Sequence, residues 1–472
     1  MEETLENARR YNRWTKFILN GSALAATSLL LRGIGVLWNS FLTARLGAAG
    51  VGLISLTMSV YMLAVTFATS AVGFAATKLV AEARARGVPG GGREIMKTCI
   101  CHALVTGSVA CMVLTLGADY IGGVWLGDVR TIPSLRLLAI SLPPIAVSSA
   151  LSGYFTAIRK VYKNAATRLL EQFVKLTVTA AALMFFAPPD AGLEFMCALV
   201  VGGASIAEGA SLGISALFYI LDPVRRGEVK EDLPPRAERS RSNISLLLSV
   251  TVPLSVSAYV RSALITIEHI LVPRGLKKYG AGHESALASY GVLHGMVLPL
   301  VLLPSSILYS YASLLVTELA EAKAQHNYPL IRRIVVRALA ATLVYASATA
   351  VVLVIWSDYL GMTLYKTAEA GGFIRAMAPL VPVMYLDTVI DCILKGLGEQ
   401  VYSMKVNILD SAVSALLVWL LVPGFGIAGY AATIYIAELL NFALSIARAA
   451  SYALGANKVA PQEKLPVKTN AA

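Results

Sequence analysis

Apolar runs long enough to cross a bilayer recur from one end of this 472-residue chain to the other. About 20 such residues span the hydrocarbon layer as a helix. On that rule the sequence predicts about twelve spans, near 17–44, 49–77, 94–118, 133–158, 166–187, 192–221, 243–272, 286–316, 331–356, 374–397, 402–422 and 427–450. Backbone N–H and C=O groups find no water in that layer, so runs of this length must be helices. Only 14% of the residues are charged, against about 25% in a soluble domain. The fold class is an all-α polytopic membrane protein.

Basic residues orient the spans. With the N-terminus inside, the cytoplasmic segments hold 29 of the 40 lysines and arginines, among them Arg84, Arg159, Arg225 and Arg332, and the outer segments hold 8. That asymmetry puts both termini in the cytoplasm. It also accounts for the net charge of +12 without a nucleic-acid partner. The opening stretch MEETLENARRYNRWTK is polar and mixed in charge, and reads as a lead-in to the first span rather than a cleaved signal.

The longest polar stretch between spans, 222–242, contains Pro-Pro and dense charge, and reads as a cytoplasmic linker. It divides the spans six and six. An N-terminal lobe (1–221) and a C-terminal lobe (243–450) precede a polar cytoplasmic tail (451–472). The halves echo each other. Arg32 lies inside the first span and Arg261 inside the seventh, KLVAEARARG returns as LLVTELAEAKAQ, and Pro143-Pro144 matches Pro379 and Pro382. Parallel six-helix repeats of this kind make two pseudo-symmetric lobes around a central cavity.

An arginine at membrane depth costs roughly 2.5–3.5 kcal/mol on insertion scales. Arg32 and Arg261 therefore stand first as substrate-binding candidates. A guanidinium facing a wet cavity grips a phosphate in bidentate fashion; the plainer reading pairs each with a buried acid. Asn39 and Glu268 follow seven residues later on the same helix faces, where they line the cavity or bond across helices. Arg168, Glu171 and Lys175 form one stripe. It is either a polar track beside a cavity or a self-neutralised helix start. Asp391 and Lys395 are an i, i+4 pair. Asp387 is deeper in the same helix and, with Glu171 and His294, is a candidate for ion or proton coupling. Glu208, Asp410 and Glu438 are further acids within spans.

Five cysteines in apolar runs imply no disulfide framework and no metal site. No phosphate loop, nucleophile elbow or dinucleotide fingerprint is present. The sequence predicts no catalytic residue, no cofactor and no enzyme.

The block RGIGVLWNSFLTARLG, the GVGL turn and KLVAEARARG resemble the stage V sporulation protein B group, in the polysaccharide-transport branch of the multidrug, oligosaccharidyl-lipid and polysaccharide (MOP) flippase superfamily. The similarity covers essentially the whole chain. It implies a V-shaped pair of six-helix lobes, alternating access, and an undecaprenyl-diphosphate-linked glycan as substrate, for this group a peptidoglycan precursor of the spore cortex. In related lipid-linked peptidoglycan flippases, arginines of the first and seventh spans line the cavity, and Arg32 and Arg261 fit that role. Those relatives often carry two further spans that groove the lipid tail, and none is expected here. The implied partners are the lipid-linked glycan, membrane lipid and a glycan polymerase or other wall-synthesis protein. A cation-coupled drug antiporter and a polymerase scaffold are the rival readings.

Overall fold

The computed structural model describes residues 2–85, 91–188, 191–222, 243–325 and 327–454. The expected linker beyond Asp222 and the tail beyond residue 454 lie outside them. All regular structure among the described residues is helical. The helices are α1 (Glu2–Thr69), α2 (Val72–Ala85), α3 (Gly91–Tyr120), α4 (Ile132–Ile140), α5 (Leu142–Ala157), α6 (Val161–Phe185), α7 (Leu193–Ile220), α8 (Asn243–Tyr279), α9 (His283–Tyr290), α10 (Leu298–Leu302), α11 (Ser305–Ala324), α12 (Tyr328–Ile355), α13 (Ser357–Leu360), α14 (Ala368–Met377), α15 (Val381–Gly396) and α16 (Gln400–Leu454).

Among the described residues, eight helices are long and apolar enough to cross a membrane, or nine if the bent pair Val129–Ile140 and Leu142–Ala157 is one span. The sequence led us to expect twelve, and the difference has a physical origin. Two of the eight, Leu29–Ala83 and Gln400–Ser451, run for 55 and 52 residues. At 1.5 Å per residue each is about 80 Å long, more than twice the roughly 30 Å hydrocarbon layer. Each contains one glycine with a left-handed backbone, Gly47 (φ 72°) and Gly426 (φ 60°). Those glycines fall in the gaps the sequence reading leaves at 45–48 and 423–426. Helix α6 is long enough, but Arg168, Glu171 and Lys175 make it too polar for such a count.

Packing confirms the solvent. On α3, Leu104, Val105, Val109, Met112, Val113 and Leu116 are exposed, while Cys99, Ala103, Ala110 and Leu114 are buried. Most of the large apolar side chains face outward and the inward face is mostly small, the reverse of a water-soluble helix and the arrangement lipid favours. A Cβ at Gly107 would stand 2.8 Å from Pro143 Cα, so α3 and α5 meet backbone to backbone.

The chain folds into two compact units. Of the described residues, the first holds those within 2–41, 292–414 and 428–454, and the second those within 42–291 and 415–427. Within the first, a cluster of α11, α12 and α15 residues that includes Leu319, Ile331, Val335, Val389 and Ile393 forms a dry core. Within the second, α2 lies against α5 so closely that a Cβ at Gly153 would meet Gly73 O at 2.2 Å.

Candidate functional site

The first unit is built around an interrupted helix. Between Gly291 and Ser305 the chain passes through a π-helical stretch, Gly291–Val297, the short α10, and a break at Leu303–Pro304. Gly295, Pro299 and Pro304 disfavour a regular ladder here, and freed carbonyls at membrane depth need donors. Side chains supply them. Asn39 Nδ2 donates to Gly295 O (2.9 Å), Tyr365 Oη to Met296 O (2.9 Å), and Tyr385 Oη to Val301 O (2.7 Å). Arg32 Nη1 donates to Leu302 O (2.8 Å) and to Ser305 Oγ (3.2 Å). Tyr345 Oη donates to Pro304 O (3.1 Å).

Arg32 thus caps the C-terminal end of α10, where the helix dipole favours a cation. It makes no ion pair with an acid among the described residues. The side chain is exposed, and the same guanidinium has further N–H donors beyond the nitrogen it uses here. Asn39 is half-buried and makes the cross-helix bond described above. His294 is half-buried within the π-helical stretch.

In the second unit, α8 runs along the later part of α1. Thr266 Oγ1 donates to Ser59 O (3.0 Å), Thr66 Oγ1 to Ser262 Oγ (3.2 Å), and Tyr259 Oη hydrogen-bonds with Ser70 Oγ. Phe67 stacks on Tyr259 with centroids 4.2 Å apart. These contacts pin the break between α1 and α2, where Ser70 (φ 42°) and Ala71 (φ 53°) both take the left-handed backbone, uncommon for residues with a side chain. Arg261 lies on another flank of α8 and is exposed. Glu268 is half-buried and within electrostatic reach of Tyr290.

The coupling candidates sit among other acids. Asp387 Oδ2 accepts from Asn441 Nδ2 (3.2 Å), and its Oδ1 is buried without a hydrogen bond. Asp410 and Glu438 are close enough for their charges to be felt there. Asp387, Asp410 and Glu438 come from residues far apart in the chain, and sequence spacing gave no sign of the cluster. Asp391 bonds Lys395, as its i, i+4 spacing predicts, and also accepts from Ser403. Glu171 departs from the self-neutralised reading. Its Oε2 accepts from Ser211 Oγ on α7 (2.8 Å), and no ion pair joins it to Arg168 or Lys175 among the described residues. Arg168 and Glu171 instead line a cavity of about 400 Å³.

A buried ionic cluster that sequence reading missed closes one end of the second unit. Asp222, with no exposed side-chain area, accepts from Lys160 Nζ (2.9 Å) and Lys163 Nζ (2.6 Å). Near the other end of α7, outside the spans, Asp128 is gripped by Arg130 (2.7 Å) and His283 (2.7 Å), and Arg130 also pairs with Glu284 (2.7 Å). Burial alone would raise the Asp128 carboxyl, but the hydrogen bonds from Arg130 and His283 outweigh it and hold the group below its ordinary range.

This helical build has a counterpart among solved membrane carriers. An inward-facing multidrug resistance MATE family transporter of the MOP superfamily superposes with a TM-score of 0.73 over 93% of this chain and 100% of that one, at 13% identity. A MOP superfamily transporter from Pyrococcus furiosus gives 0.65 over 94% and 97%. The protein has the multi-pass helical fold of these membrane carriers. More closely, it belongs to the polysaccharide biosynthesis protein family, whose pattern matches residues 18–316; the MatE pattern matches 278–420. Stage V sporulation protein B of Bacillus subtilis (strain 168) is 26% identical over 424 residues, 89% of this chain and 80% of that protein. Lipid II flippase MurJ of the same organism is 22% identical over 467 residues, 93% and 84%.

Proposed function

We propose that this transporter carries an undecaprenyl-diphosphate-linked glycan, a peptidoglycan precursor in kind, across the cell membrane by alternating access. The single observation that carries this reading is Arg32: an exposed guanidinium within a candidate span, held at a broken helix and paired with no acid among the described residues. Relatives that include a lipid II flippase supply the substrate class. The diphosphate and sugars of such a lipid cannot cross hydrocarbon with their polar groups unsatisfied.

In this reading twelve spans form lobes 1–221 and 243–450 around a central cavity, with the linker and both termini cytoplasmic. Arg32 and Arg261 hold the diphosphate, and Asn39 and Glu268 flank them. Asp387, Glu171 and His294 are the groups through which an ion or proton couples to the cycle. Moving one negative charge outward in an inside-negative cell is favoured by about 2.3 kcal/mol per 100 mV, so the membrane potential drives the loaded step. A wall-synthesis polymerase that uses the exported lipid is the natural partner.

The test is binding of undecaprenyl-diphosphate-linked sugar to the purified protein. Arg32→Ala and Arg261→Ala should each lose affinity while remaining folded. Full-strength binding by both variants rejects the reading. The acids around Asp387 favour the rival, a cation-coupled drug antiporter. That rival predicts saturable binding of an organic cation, displaced by protons or sodium, and indifference to the lipid.

A further inference from the structure

The cavity of about 400 Å³ in the second unit has a chemistry of its own. It lies where α5 hands over to α6 and where α7 ends, with α1 and α2 forming the opposite wall. Its size is within the roughly 300–1,000 Å³ of small-ligand sites. Hydroxyl groups dominate its lining.

Much of that polarity is already committed. Thr77 has two carbonyls in reach of its one O–H, Gly73 O (2.9 Å) and Gly153 O (3.1 Å), Thr167 donates to Lys163 O (2.9 Å), and Asn164 to Ser152 O (3.0 Å) and Thr156 Oγ1 (3.1 Å). A hydroxyl that donates backward still presents lone pairs to the cavity. What remains matters more. Ser148 Oγ is buried with no hydrogen bond. The side chains of Ser149, Ser152 and the exposed Arg168 line the cavity and make no hydrogen bond to the protein among the described residues. Glu171 binds Ser211 through one oxygen only. A buried polar group is ordinarily satisfied; Ser148, beside these open donors and acceptors, points to an occupant that both donates and accepts in several directions.

The same cavity is lined by Phe74, a large aromatic side chain 59% exposed. An aromatic wall beside acceptors, hydroxyls, one guanidinium and one carboxylate matches a pyranose ring, which has an apolar C–H face and a rim of hydroxyls. A lone phosphate would find Glu171 repulsive, and an organic cation would find Arg168 so. We propose that this cavity is a saccharide subsite, separate from the arginines that meet the diphosphate, and that it reads the first sugars of the cargo. Glu171 accepts from sugar hydroxyls, Arg168 and the serines complete the rim, and Phe74 covers the ring face.

This inference rests on a lipid-linked glycan being the cargo, and the experiment separates the two. Full-length protein is placed in nanodiscs free of maltoside detergent, whose headgroup is itself a disaccharide. Affinities are measured for undecaprenyl diphosphate, for the same lipid bearing N-acetylglucosamine, and for free diacetylchitobiose. Wild type should prefer the glycosylated lipid about tenfold, the scale of one hydrogen bond to a charged group. Glu171→Gln, Arg168→Gln and the cavity-filling Ser152→Leu should each bring that ratio toward one; the isosteric Glu171→Gln answers for any variant that fails to fold. An unchanged ratio in all three overturns the subsite. If wild type binds neither lipid, the cargo reading fails. Chitobiose binding that the variants abolish then keeps the cavity as a saccharide site, and no chitobiose binding rejects it as well.

Discussion

Replacing Gly52 with alanine puts a methyl group where a backbone atom already stands. A Cβ at Gly52 would lie 2.0 Å from Leu287 O, 2.9 Å from Leu287 C and 3.3 Å from Gly291 N. Carbon and carbonyl oxygen approach comfortably at about 3.3–3.6 Å, so α1 and α9 must separate locally by roughly 1 Å. The obstacle is backbone on a helix and cannot swing aside as a side-chain tip would. Overpacking of this kind costs about 1–3 kcal/mol. Gly213, in the middle of α7, has nothing within 4 Å of its Cβ position. Alanine there should stabilise the helix by up to about 1 kcal/mol. The two variants should therefore differ by about 1–4 kcal/mol. Thermal unfolding of the purified proteins in one detergent, followed by intrinsic fluorescence, measures the order. Gly52→Ala should melt well below wild type and Gly213→Ala at or above it. A Gly52→Ala midpoint equal to that of Gly213→Ala would refute the close backbone crossing. Gly291→Ala, whose Cβ would meet Ala48 O at 2.4 Å and Gly52 N at 2.6 Å, should behave like Gly52→Ala. The double variant should cost less than the sum, because one separation makes room for both methyls.

Other perturbations test other parts. Asp222→Asn should destabilise by about 3–5 kcal/mol, because Lys160 and Lys163 lose a fully buried counter-charge; chemical or thermal unfolding measures it, and a shift under 1 kcal/mol would contradict the burial. Tyr385→Phe leaves Val301 O without its buried donor and should cost about 1–3 kcal/mol, whereas Tyr359→Phe, at an exposed position, should cost nothing measurable. The Asp128 carboxyl is held below its usual range, so its contribution is complete above about pH 4 and lost as pH falls through its folded value. Hydrogen exchange in 121–132 should respond to Asp128→Asn at pH 7, and the difference between the two proteins should shrink as pH falls below about 4.

Some of this was legible in the amino-acid order, and the reasons are local. A run of apolar residues reports its own length, and in a bilayer length and backbone chemistry together demand a helix. Gly47 and Gly426 are visible as helix breaks because glycine alone takes their backbone angles freely. Arg32 was conspicuous because a charge in hydrocarbon is expensive wherever it points. The pairing of Asp391 with Lys395 follows from the pitch of one helix.

What Arg32 touches could not be read that way. Its partners, Leu302 O and Ser305 Oγ, lie 270 and 273 residues further along, and a backbone carbonyl has no signature in the sequence of its own residue. The tyrosines that serve the same interrupted helix, Tyr345, Tyr365 and Tyr385, looked like ordinary aromatic residues of three different segments. Glu171 shared a helix face with Arg168 and Lys175, so periodicity suggested mutual neutralisation; packing of α6 on α7 gave it Ser211 instead and opened the hydroxyl-lined cavity beside it. The sequence by itself determined that the chain is a bundle of membrane-spanning helices, because hydrophobic burial acts on each segment alone. Only the tertiary structure decided which polar groups meet, because hydrogen bonds and charge contacts depend on distances between segments.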